Sequence, residues 1–144
     1  MAGHPGSLPH SLDTLHSVGA AAAIVASVIL GGLALFQAGL AAGRPWGRLA
    51  WGGQHVVLPS RLRIGSAVSI ALYAGIVAVL LTAAGLVGSL PRGFSDVAIW
   101  VLVGYFALGV LMNGISRSRA ERAVMTPLVL VLGLCCLVIA IEPG

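Results

Sequence analysis

The sequence predicts an all-α fold, a four-helix transmembrane bundle with both termini outside the cell (N-out/C-out). Three observations carry this reading. Four apolar stretches, residues 17–42, 64–88, 97–115 and 124–141, hold no charged side chain. Each is close to the roughly 17 to 25 residues with which an α-helix crosses a hydrocarbon core about 30 Å thick. The arginines lie in the gaps: Arg44, Arg48, Arg61 and Arg63 in the first, Arg92 alone in the second, and Arg117, Arg119 and Arg122 in the third. Basic residues are retained on the cytoplasmic side, so the first and third gaps read as cytoplasmic and the termini as extracytoplasmic.

Composition agrees. Hydrophobic residues make up 58% of the chain and charged residues 8%, with a mean hydropathy of +1.04, whereas a soluble domain carries about a quarter charged residues. After four spans only about 55 residues remain, too few for an extramembrane domain of ordinary size. A net charge of +4 and an isoelectric point near 10.1 would suggest nucleic acid in a soluble chain. Here the positive charges flank apolar spans and act as topology signals, so no nucleic-acid partner is expected. The expected partners are the lipid bilayer and either a second copy or a larger membrane complex. All basic residues are Arg, and Ala, Gly, Leu and Val dominate. That bias fits a high-GC bacterial genome and hence a bacterial cytoplasmic (inner) membrane.

Residues 1–16 read as an extracytoplasmic tail. They contain no Lys or Arg, so they lack the basic n-region of a signal peptide. His4, His10 and His16 recur every six residues, which matches no standard metal site. Span one carries small residues at Gly19, Ala23, Ser27 and Gly31, a spacing that lets helix backbones approach closely in lipid. The first loop, residues 43–63, holds four glycines, two prolines and two tryptophans. Trp46 and Trp51 are expected to anchor it at the headgroup level.

Span two is expected to begin after Leu58-Pro59, with Ser60 as its N-cap and with Arg61 and Arg63 snorkelling to the headgroups. Pro91 and Gly93 make the second gap a short hairpin. Ser95 is the expected N-cap of span three, with Asp96 favourable near the positive helix end. For span four, Ser118-Arg119-Ala120-Glu121 has the spacing of a capping box, while Thr126-Pro127 offers a rival start. Length decides between them. A helix from Pro127 to Ile141 has 15 residues and reaches only about 22 Å at 1.5 Å per residue. The helix is therefore predicted over residues 119–141, kinked at Pro127.

Polar residues inside the spans concentrate in the cytoplasmic half: Gln37, Ser66, Ser69, Tyr73, Asn113 and Thr126. An unpaired amide in lipid costs several kcal/mol, so Gln37 and Asn113 should point into the bundle. Together with His55, Glu121, Arg61, Arg63 and Arg117 they could line a basic vestibule that binds an anionic amphiphile. The plainer reading is that these groups glue the helices together. Asp13, Asp96, Glu121 and Glu142 all lie at ends or in loops, which argues against proton-coupled antiport. No His lies within a span, which argues against haem. Cys135 and Cys136 are adjacent rather than C-x-x-C, and read as small packing residues. No catalytic residue, metal or cofactor is expected.

At Gly43-Arg44-Pro45-Trp46-Gly47, and again at Leu58-Pro59, Pro91-Arg92, Trp100-Val101-Leu102 and Thr126-Pro127-Leu128, the chain resembles an uncharacterised family of small bacterial four-helix integral membrane proteins. The resemblance implies the same four-span plan. The third loop, residues 116–123, looks shorter than that family's. The expectation for function is a non-enzymatic accessory or self-assembling bundle, with an amphiphile-binding enzyme or carrier as the alternative.

Overall fold

The computed structural model describes residues 9–142, with side chains from His16 onward. Four α-helices account for most of it: α1 (Pro9–Ala41), α2 (Ser60–Ala83), α3 (Arg92–Gly114) and α4 (Arg119–Ile141). All four are long and apolar enough to cross a membrane, α1 over His16–Ala41. Two short 3-10 turns, Gly47–Leu49 and Trp51–Gly53, shape the first loop. The readings attached to His4 and its glycine and proline neighbours lie outside the described residues.

The helix ends follow local chemistry more closely than hydropathy. α1 is helical from the first described residue, Pro9, and so extends ahead of the apolar stretch. It stops at Gly43, whose φ of +85° allows Gly43 N–H to donate to Leu40 O at 3.0 Å and Arg44 N–H to Gly39 O at 2.9 Å. That pair of bonds is a Schellman terminator. α2 ends the same way at Gly85 (φ +71°), with Gly85 N–H on Thr82 O and Leu86 N–H on Leu81 O. Leu86 and Val87, apolar as they are, lie outside the helix, so α2 ends before the predicted residue 88.

Two expected caps are corrected. Ser60 is the first residue of α2, and Pro59 occupies the cap position with no side-chain bond. α3 begins at Arg92 with Pro91 as its cap, so Ser95 sits inside the helix, buried, its hydroxyl donating to Arg92 O at 2.9 Å. In both cases proline fixes an extended residue just ahead of the helix, and the helix starts at once. α4 does start at Arg119, with Ser118 Oγ accepting Glu121 N–H and Pro127 inside the helix.

Around the bundle, α1 packs on α2 and α4, and α3 packs on α4 and α2. Short connections make consecutive helices antiparallel, so the first and third loops share one end. The core runs through Ala23, Ala26, Leu30 and Leu33 of α1, Ile76 and Leu80 of α2, Ile99 and Phe106 of α3, and Leu132, Cys136 and Ile139 of α4. Each set recurs at spacings that keep one helix face inward. Both cysteines are free, and Cys136 is fully buried among apolar neighbours. At the arginine-bearing end a second cluster joins Leu40, Ala50 and Leu58, with Phe36 and Leu62 against it. The first loop is thereby packed down onto α1 and α2.

Candidate functional site: a cavity beneath the first loop

The first loop is built on glycines that admit larger groups. Trp46 stacks on Phe36, ring centroids 6.0 Å apart and planes 7° from parallel, and lies over Gly39, where a Cβ would overlap the indole. Gly47 is buried with its N–H on Val56 O at 2.9 Å, and a Cβ there would overlap the His55 carbonyl oxygen. Trp51, Gly52 and Gly53 are all left-handed, with φ of 55°, 79° and 68°. For the tryptophan this conformation costs on the order of 1 kcal/mol. Two contacts hold it there: the indole N–H donates to Ser66 Oγ at 3.2 Å, and the ring rests on Gly65, where a Cβ would lie 2.8 Å away. Both expected anchors, Trp46 and Trp51, are thus 42% exposed, with the remainder packed on the helices.

From the other side α4 grips the same loop. The Gly52 N–H donates to both carboxylate oxygens of Glu121, at 3.3 and 3.1 Å, and Ser118 Oγ–H donates to Arg48 O at 2.7 Å. Only half of the predicted capping box forms. Ser118 Oγ accepts Glu121 N–H at 3.2 Å, but Ser118 N–H goes to Ser116 Oγ at 3.2 Å, and the Ser116 hydroxyl donates to Glu121. Ser116 thus takes the place of the returning carboxylate, which is free to hold the loop. Glu121 is 7% exposed, and its position in the first turn of α4 favours a negative side chain.

Beneath Leu49, Ala50 and Trp51 a cavity of about 180 Å³ opens between the helices. One polar residue or more reaches it from every helix: Gln37 from α1, Tyr73 from α2, Tyr105 and Asn113 from α3, and Glu121 from α4. Gln37 Nε2 donates to Tyr73 OH at 3.5 Å, a long bond, and its Oε1 is buried with no partner. Asn113 Nδ2 donates to Gly109 O of its own helix at 2.8 Å. An outer recess shares Asn113 and Glu121 with the cavity, so these two residues stand at the threshold between them.

The structure therefore brings Gln37, Tyr73 and Asn113 together and joins Ser66 to them through Trp51. Of the basic group, Arg117 lines the outer recess beside Asn113 and Glu121, and the others lie apart from the cavity. Ser69 donates to Gly65 O in its own helix. Arg63 Nε–H donates to Ala41 O at 2.7 Å, capping the end of α1. Arg61 is exposed, and His55 and Arg117 border a groove on the outer surface of the loop. Of the α1 small residues, Gly19 and Ala23 are buried, Gly19 against the Glu142 carboxyl. Ser27 donates to Ala23 O, and Gly31 is exposed. Four residues turn a helix by about 400°, so a four-residue stripe drifts around the helix instead of staying on one face.

The sequence suggests Glu121 both as a cap and as part of the vestibule, and gives no site role to Tyr105 or Ser116. The one signal available was an acidic residue set one turn beyond Ser116 and Ser118. Among the described residues no cluster of three His, Cys, Asp or Glu could hold a metal. Compared with known proteins, the chain matches no family model, no curated protein and no solved structure.

Proposed function

We propose that the chain is a non-catalytic, multi-pass protein of the bacterial cytoplasmic membrane. In this reading it works as an accessory bundle, packing against a second copy or a larger membrane complex through the outer face of α1. The observation that carries the reading is an open window at Gly31 and Gly32. Both are exposed, and a Cβ added at either would meet nothing within 4 Å. They lie between Val28 and Leu35, the most exposed large hydrophobics among the described residues, at 71% and 76%. In lipid, burial of apolar side chains gains little, so helices associate where small residues let backbones come close.

Two further features support it. Ser27, Ser69, Thr82 and Asn113 each donate to the carbonyl four residues back in the same helix, so these polar groups are occupied by the scaffold. The arginines of the first and third loops gather at one end, which the positive-inside rule assigns to the cytoplasm. Crosslinking in native membrane vesicles tests the proposal. Gly31→Leu should remove the dimer band without disturbing the monomer, and Gly75→Leu, equally open but on α2, should keep it. A dimer band that survives Gly31→Leu would overturn the assignment.

A further inference from the structure

We infer that the cavity beneath Trp51 is a binding site for a small organic ammonium ion with a compact hydrocarbon body. This goes beyond the packing role and does not depend on it. The polar part of the wall is rich in acceptors. Gln37 is 9% exposed, and its Oε1 is buried and unpartnered, a state that costs about 1–3 kcal/mol unless something fills it. Glu121 adds a carboxylate. The amides of Gln37 and Asn113 each spend one N–H, on Tyr73 and on Gly109, and the Tyr73 and Tyr105 hydroxyls that also line the space can accept as well as donate. Among the described residues no arginine or histidine lines the cavity. A wall of this kind recognises a ligand that brings its own N–H groups.

The rest of the wall fixes the ligand's other half. Phe36, Trp51, Tyr73, Tyr105 and Phe106 surround the space, and aromatic faces attract a cation by about 0.5–2 kcal/mol each when well placed. Leucines complete the lining and favour a hydrocarbon body. At about 180 Å³ the cavity is slightly larger than an apolar cavity of about 150 Å³ that takes up benzene. Benzylamine is therefore a fitting probe. The recess that shares Asn113 and Glu121 supplies the way in; Arg117 also lines it, and the carboxylate at its threshold offsets that positive charge.

The test uses the full chain in lipid nanodiscs, with Trp46→Phe and Trp100→Phe introduced so that Trp51 is the sole fluorophore. Benzylamine should give a saturable change, at least tenfold tighter than benzyl alcohol, with toluene and benzoate no better than membrane partitioning. Val129→Phe, which fills the cavity, should abolish saturation. Gln37→Leu removes the orphaned acceptor without opening a void and should weaken benzylamine at least fivefold; Glu121→Gln should weaken it at least tenfold. Equal response to toluene and benzylamine would overturn the inference, as would saturation that persists in Val129→Phe. Failure of every probe to saturate would show that the cavity holds water only, and would overturn it as well.

Discussion

Replacing Gly47 with alanine should unfasten the first loop. A Cβ at this position would overlap the His55 carbonyl oxygen and come within 3.1 Å of both the Val56 carbonyl oxygen and Leu58 Cδ2. Non-bonded heavy atoms settle at about 3.5–4.0 Å, so the chain at His55 must retreat by about 1 Å. These oxygens belong to the backbone and cannot rotate aside. The retreat breaks the Gly47 N–H bond to Val56 O and draws Leu58 from its contact with Leu40 and Ala50. Overpacking of a filled site costs about 1–3 kcal/mol, and an orphaned buried N–H adds about 1–3 kcal/mol. The expected loss is about 2–6 kcal/mol, confined to the arginine-bearing end. Trypsin cleavage after Arg48 in detergent measures it directly: the variant should be cut much faster than the parent. Gly31→Ala serves as the control. Its Cβ meets nothing, and replacing a mid-helix glycine should stabilise α1 by about 0.5–1 kcal/mol. Equal protection of Arg48 in Gly47→Ala and parent would refute the packing account of this loop.

Three other changes probe the same end of the molecule. Glu121→Ala removes the acceptor for Gly52 N–H and the Ser116 hydroxyl and should cost about 1.5–3 kcal/mol, read as faster hydrogen exchange at Gly52. Gln37→Leu, by contrast, should raise the temperature of unfolding in detergent, because it deletes a buried oxygen that has no partner and fills its place with carbon. Arg63→Met uncovers Ala41 O and should loosen the last turn of α1 by about 0.5–1.5 kcal/mol, seen as exchange at Ala42 to Arg44 with the rest of the helix unchanged.

The four helices were legible because hydrocarbon thickness imposes a length that composition alone displays. Length also settled the start of α4, where Pro127 would have left too short a span. Helix ends were less legible. Leu86 and Val87 continue the apolar run past the left-handed Gly85, and hydropathy does not register a backbone torsion. Serine was overvalued as a cap at Ser60 and Ser95, where a neighbouring proline had already set the entry to the helix. Gln37 and Asn113 were readable as inward-facing from the cost of an unpaired amide in lipid. The bond from Gly52 to Glu121 was not readable. It joins residues 69 positions apart, and no local spacing encodes which distant amide a carboxylate will reach. The arginines share an end of the chain with the amides, which suggests a vestibule, and of them Arg117 lines the recess outside the cavity. Sharing an end does not fix depth, and long side chains at a helix terminus reach outward.

The fastening of Gly52 to Glu121 and of Arg48 to Ser118 joins the α1–α2 hairpin to the α3–α4 hairpin at the end opposite their covalent link. A chain severed between Gly85 and Ser89 would keep both hairpins intact, each with its own turn, and leave them meeting through their common core and this non-covalent clasp. Two separately expressed halves should then recombine in a bilayer. Their pairing would rest on the shared core and on one glutamate and one serine rather than on the continuity of the polypeptide.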